Sequence, residues 1–296
     1  LYPDFDELLS LKSKVSRKKI SPKNKVKSPM VGDYLSSFRG NGMEFSEVRK
    51  YVIGDDIRKI DWRVTAKVGE PHIKLFEEER ELTVLICVDV NNAMRFGTRG
   101  TFKSVQAARC ASLLGWCANI NGDSVGSYLF GNTLEHNTFL RPQRSRRMLW
   151  NLFKNLSSKK GVAQDKEHVA LSVPTEFMQK NVKPGSLVFI ISDFIVIDKN
   201  FQQQLSYLSQ KAQIVLISVN DPADKAIPSA GNILFAANDK EIVHIGTSSK
   251  AGQANYRKQW QANREQLKQI TNKLGVQIID IKTDGDVFYD LFYGLK

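Results

Sequence analysis

From residue 82 onward, runs of consecutive apolar residues alternate with segments whose apolar positions recur every three or four residues. The runs Thr83–Val88, Leu187–Ile191 and Gln213–Val219 carry almost no polar alternation, as strands buried on both faces of a parallel sheet require. Ser124–Phe130 and Val276–Ile281 read as further strands, and Leu134–Leu140 as an edge strand. Helical spacing predicts helices over Lys103–Ile120, Ser145–Leu156, residues 166–180, Asn200–Lys211, Ala251–Leu274 and Asp286–Leu295. Ile233–Phe235 and Glu241–His244 are placed to pair as a hairpin. Strands and helices alternating at these lengths predict an α/β fold, a mostly parallel sheet with helices on both faces.

The first 81 residues have another texture. Leu1, Phe5, Leu8 and Leu9 share one side of a short amphipathic helix over residues 1–10, and residues 11–42 read as a polar, basic linker or wrapping segment. Residues 43–81 interleave ten acids with eight bases, which suggests a salt-bridged lobe rather than a nucleic-acid surface. The expected division is an arm and charged extension over 1–81 and an α/β domain over 82–296.

Hydrophobic residues make up 42% of the 296, enough for a sizeable core. No apolar run reaches the roughly 18 residues of a membrane span. The acidic start, with Asp4, Asp6 and Glu7, does not match a secretory signal, and the beginning at Leu1 leaves open whether sequence precedes it. Cys87, Cys110 and Cys117 are read as small buried hydrophobes in a reducing, cytoplasmic setting. The net charge is +12, and residues 1–27 contribute eight basic residues against three acids. Such an arm attracts phosphates or acidic surfaces, but it lacks interleaved aromatics for base stacking, so a solvated arm is the plainer reading.

Ligands of open α/β sheets bind beyond the carboxyl ends of the strands. Two apolar strands end there in carboxylates, Asp89 after TVLICV and Asp193 after LVFIIS. If the strands are neighbours, the carboxylates share a crevice, and at about 5 Å they repel by roughly 3 kcal/mol at an effective dielectric near 20. A divalent cation, a nearby arginine or a bound proton must relieve that repulsion. The plainer reading makes each Asp only a helix N-cap. Position 91, where a D-x-D phosphotransfer site has its second carboxylate, is Asn91. Gly97, Gly100, Lys103 and Ser104 in FGTRGTFKS miss the phosphate-loop spacing. His72, His136, His168 and His244 are scattered, and no G-x-S-x-G elbow occurs. No nucleophile-and-base set is present.

The stretch from Glu44 to Asp89 is the most specific part of the chain: Glu44-Phe45, Arg49, Tyr51, Gly54-Asp55, Arg58, Ile60-Asp61-Trp62, then Glu77 to Arg80. It resembles the signature of the bacterial domain of unknown function 58 family, whose members contain a von Willebrand factor A-like domain. The resemblance continues through FGTRG, LFGN and IISDF and covers roughly residues 30–295. It implies a Rossmann-like, doubly wound core with an N-terminal extension. It also implies a metal-ion-dependent adhesion site, in which a D-x-S-x-S loop, a Thr and a further Asp hold Mg²⁺. Here that loop reads DVNNAM. Asp89 and Asp193 match the carboxylates, Asn91 and Ala93 replace the serines, and only Ser157 and Ser158 lie near where the Thr is expected. The alternatives are residual magnesium binding by Asp89, Asn91 and Asp193, or a surface that has lost its metal, with Arg95 neutralising the carboxylates.

Arg49, Tyr51, Asp55, Arg58, Asp61 and Trp62 likewise have two readings, a partner-docking surface or a structural clasp with Trp62 buried. The resemblance implies a non-enzymatic adaptor or cochaperone of a MoxR-type AAA+ ATPase acting on a client protein. The competing expectations are a nucleic-acid-binding protein using the basic arm and a magnesium-dependent phosphohydrolase using the two aspartates.

Overall fold

The computed structural model describes residues 2–15, 43–78, 82–132, 134, 137–158, 167–226, 232–238, 241–246 and 249–295. In chain order the elements are α1 (Phe5–Ser10), β1 (Met43–Lys50), α2 (Trp62–Val68), β2 (His72–Glu78), β3 (Thr83–Asp89), α3 (Lys103–Ile120), β4 (Ser124–Phe130), β5 (Thr138–Gln143), α4 (Arg146–Leu156) and α5 (Ser172–Asn181). There follow β6 (Leu187–Ser192), α6 (Phe201–Ser209), β7 (Gln213–Asn220), α7 (Pro222–Lys225), β8 (Asn232–Asn238), β9 (Glu241–Gly246), α8 (Lys250–Leu274), β10 (Gln277–Lys282) and α9 (Val287–Gly294).

Six strands form one sheet in the order β10-β7-β6-β3-β4-β5. Every pairing is parallel except β4 with the edge strand β5. Counted from β3, this is the doubly wound Rossmann order, which reverses between β3 and β6. The expected doubly wound, mostly parallel α/β core is therefore present. Side chains of β3 alternate between two cores: Val84, Ile86 and Val88 join α3, α4 and α9, whereas Leu85 and Cys87 join α5, α6 and α8. Burial on both faces is why this strand reads as unbroken apolar sequence. The expected edge strand lies a few residues later than its apolar pattern suggested, at Thr138–Gln143, and is half exposed. The helix expected over 166–180 spans Ser172–Asn181.

Helix α3 is buried on nearly all sides, with 14 of its 18 residues inaccessible. A helix apolar all round must be covered all round, and residues 5–15 supply the outer cover. Asp4 caps α1 by accepting from Asp6 N and Glu7 N. Leu8, Leu11 and Val15 then enter the α3 core. Leu8 O accepts from Ser112 Oγ at 2.6 Å and from Trp116 Nε1 at 3.1 Å, while Glu7 pairs with Arg109 at 2.7 Å. By their contacts residues 2–15 group with the α/β unit and not with the charged extension, which differs from the expected 1–81 division. The pattern of α1 alone could not show what its apolar side covers. Most of the basic segment lies outside the described residues.

A second unit comprises the described residues 43–78. Strands β1 and β2 pair antiparallel, and the connection between them carries α2. Asp61 caps α2 by accepting from Arg63 N and Val64 N, and Gly69 closes it in the left-handed conformation at φ 80°. Among the described residues, no helix is long and apolar enough to cross a membrane.

Candidate functional site

Strands β3 and β6 are neighbours, with Val88 opposite Ile191, so their carboxyl ends bring Asp89, Ser192 and Asp193 into one crevice. Ser192 Oγ donates to Asp89 Oδ2 at 2.6 Å and Asn91 N to Asp89 Oδ1 at 2.8 Å. Burial, and then the charge of Asp193, push the Asp89 carboxyl from 3.8 up to about 7, against the lowering pull of Ser192 and Asn91.

The cation facing Asp193 is a lysine. Lys103, the first residue of α3, is 1% exposed. Its Nζ lies 3.1 Å from Asp193 Oδ2 and 2.9 Å from Asp224 Oδ1. Burial alone would lower its pKa, but Asp193 and Asp224 together hold it above the ordinary 10.5. Burial raises Asp224 against the opposing pull of Lys103. Arg95, the expected neutralising residue, instead stacks its guanidinium 5.0 Å from the Tyr2 ring centroid. The N-terminal segment, close enough to engage it, was not foreseeable beside position 95.

The magnesium site that the resemblance implies needs near-octahedral oxygen ligands at about 2.0–2.1 Å. Asp193 gives Oδ2 to Lys103 and accepts from Ile195 N through Oδ1, and both oxygens of Asp89 already have donors. Asn91 is fully buried. Its Oδ1 accepts from Asn132 N at 2.9 Å and Val169 N at 3.0 Å, and its Nδ2 donates to Val169 O at 3.1 Å. This amide ties three loops together and has no lone pair turned toward a metal. Gly131, at φ 149°, makes the close approach possible, because a Cβ there would lie 2.4 Å from Asn91 N. Ala93 supplies no ligand atom, and Ser157 Oγ is buried without a partner. Among the described residues, no group of three His, Cys, Asp or Glu side chains is placed to hold a metal ion. The residues present do not fit a magnesium cage.

Residues beyond β7 and after Asp193 complete the rim. Asp221, just beyond β7, caps α7 and accepts from Thr98 N at 2.8 Å, Thr98 Oγ1 at 2.5 Å and Thr283 Oγ1 at 2.6 Å. Burial tends to raise its pKa, but the hydrogen bonds from Thr283 and Thr98 outweigh it and hold the carboxyl below 3.8. Asp224 Oδ2 accepts from Asp221 N at 2.7 Å. Phe194, directly after Asp193, is buried at φ 50°, a conformation costing a non-glycine residue on the order of 1–3 kcal/mol. Asn263 on α8 donates to the carbonyls of Phe194 and Ile195, which fixes that turn. The signal for Asp221 was in the sequence, since it too follows an apolar strand. For Lys103 the signal was a lysine at the start of a helix, where the dipole disfavours positive charge.

In the second unit, Arg49 grips Asp55 through two bonds of 2.9 and 2.7 Å, and Asp55 also accepts from Val52 N. Tyr51 N donates to Pro71 O at 2.8 Å, and Arg58 is exposed. These contacts, with the Asp61 cap, lie within the extension itself, and the buried Trp62 that the clasp reading requires is not found. Its place in the first turn of α2 turns the ring outward, 68% exposed. Val52, Ile53 and Ile57 are also exposed, Ile53 at 95%.

A cavity of about 100 Å³ beside the rim is lined by Tyr2, Val90, Asn91, Met94 and Arg95, among others. It is smaller than the roughly 300–1,000 Å³ of small-molecule sites. All three cysteines are buried and free, and burial pushes the Cys87 and Cys110 thiols up, away from nucleophilic thiolate.

The family model described as protein of unknown function DUF58 matches residues 47–266. The chain belongs to the DUF58 family. The match takes in the signature from Arg49 onward and the rim residues from Asp89 to Asp224. Among similar proteins are the uncharacterized protein Rv1480 of Mycobacterium tuberculosis and the uncharacterized protein Mb1516 of Mycobacterium bovis. Each is 24% identical over 274 residues, covering 92% of this DUF58 chain and 84% of the relative. Among solved structures, the conserved hypothetical protein BatB from Bacteroides thetaiotaomicron is 15% identical, with a TM-score of 0.41 over 66% of this chain and 98% of its own. The SpRpn10 VWA domain is 10% identical, with a TM-score of 0.41 over 72% and 94%.

Proposed function

We propose that this DUF58 chain is a non-enzymatic protein–protein interaction module. The carrying observation is the concentration of exposed apolar side chains Val52, Ile53, Ile57 and Trp62 in one short stretch of the family signature, held by the Arg49–Asp55 clamp. Exposed apolar groups in such density mark protein contact surfaces. Catalysis is disfavoured by a strand-end rim whose charges are satisfied internally. The partner that the sequence resemblance suggests is a MoxR-type AAA+ ATPase, with this chain acting as adaptor or cochaperone toward a client protein.

Affinity purification of the full chain from native extract, with and without ATP, tests the reading. Co-purification of an AAA+ ATPase that responds to nucleotide is expected. Retrieval of no such ATPase, or of one insensitive to nucleotide and to Ile53→Asp, would remove it.

A further inference from the structure

Lys103 stands where a lysine should be costly. It opens α3 at the positive end of the helix dipole, behind Phe102, which offers no side-chain cap. It is also removed from water, and an unpaired ammonium there would be prohibitively unfavourable. Three groups surround its Nζ: Asp193 Oδ2 at 3.1 Å, Asp224 Oδ1 at 2.9 Å and the Phe96 ring, with its centroid at 5.5 Å. Two carboxylates accept from the ammonium and one aromatic face lies within cation–π range. Asp193 follows β6, Asp224 lies in α7 just beyond β7, and the cation comes from α3, so one side chain joins three elements near the switch of strand order.

We propose that the Lys103 ammonium is the resident cation of this rim, standing in for the divalent ion, so that the rim assembles without metal. An ammonium carries one charge, does not exchange and offers no open coordination position. Recognition at this rim therefore does not proceed by a partner carboxylate completing a metal's shell. The proposal rests on the geometry of the rim alone and is independent of the ATPase reading.

Calorimetric titration of the full chain with magnesium and then manganese chloride tests it, alongside melting curves with chelator and with millimolar metal. The wild type is expected to show no saturable heat and no shift of its melting midpoint. Lys103→Met removes the charge and leaves Asp89, Asp193 and Asp224 in place. It is expected to melt several degrees lower in chelator, to bind manganese saturably and to recover much of the loss with metal. The double variant Lys103→Met/Asp193→Asn should lose that metal response. Saturable wild-type binding abolished by Asp193→Asn would overturn the proposal, as would a Lys103→Met protein as stable as wild type and indifferent to metal. If Lys103→Met does not fold, the wild-type titration, with Asp193→Asn as its control, decides the matter.

Discussion

The Nζ of Lys103 lies 2.9 Å from Oδ1 of Asp224, joining the first turn of α3 to the short helix α7 inside the protein. The pair is 1% and 5% exposed at its side chains, so solvent cannot replace either member. Removing one partner of a buried pair strands the other charge and costs about 3–5 kcal/mol, whereas replacing the set by neutral groups of like size costs far less. Asp224→Ala leaves Lys103 with Asp193 as its one carboxylate, so it is expected to lower the unfolding free energy by up to about 3 kcal/mol in urea denaturation. The triple variant Lys103→Met/Asp193→Asn/Asp224→Asn should lose less than Asp224→Ala does. A triple variant less stable than the single one would show that the network contributes more than the sum of stranded charges.

Asp89 gives the rim a pH dependence of definite sign. Its carboxyl sits at about 7 in the folded protein, against 3.8 as the reference value. The folded state thus holds a proton that the unfolded state releases. The associated stability is complete below 3.8 and is lost as pH rises toward 7. Asp89→Asn keeps the shape and never ionises. It should match wild type near the low end of that interval and exceed it above the high end, by at most about 4 kcal/mol. Denaturation curves across the interval measure the gap. A gap that stays constant with pH would mean that folding leaves the Asp89 carboxyl unshifted.

The N-terminal cover of α3 is expected to matter through its apolar contacts more than through its ion pair. Leu8 is fully buried, and truncating such a leucine to alanine costs about 2–5 kcal/mol. Glu7 and Arg109 are about a third exposed at their side chains, where pairs contribute about 0–1 kcal/mol. Leu8→Ala should therefore destabilise the chain several-fold more than Glu7→Gln in the same denaturation assay. Comparable losses would assign the docking of the segment to charge.

How far the sequence was legible follows from where each signal lies. Strands β3, β6 and β7 are unmistakable because burial on both faces removes polar residues from the run itself. The limits of α3 are also legible, but its coverage is not, since a helix apolar on every side does not say which neighbour lies where. The edge strand β5 has one exposed face and no strong pattern, so its position slipped. Asp89 and Asp193 could be singled out by a rule about strand ends, and Asp221 obeys that same rule. Lys103 could not be paired from sequence, because its partners lie 90 and 121 residues away and only the strand order brings them together. The two readings of Trp62, docking residue or buried anchor, cannot be separated by sequence, and its exposure is evident only once α2 is in place.

The exposed stretch of the signature separates contact from folding most directly. Ile53 is 95% and Trp62 68% exposed, and substitutions at such positions usually change stability by no more than about 0.5 kcal/mol. Where such side chains anchor a partner, their loss costs about 2 kcal/mol or more, a factor of roughly 30 in affinity. Asp55 offers the contrast, since its bonds to Arg49 and to Val52 N shape the loop that presents them. Ile53→Asp and Trp62→Ala should leave the melting curve in place and abolish capture of the ATPase. Asp55→Ala should disturb both measurements. Capture unaffected by Ile53→Asp and Trp62→Ala together would place the contact elsewhere on the molecule, and loss of stability in either would assign these side chains to the fold.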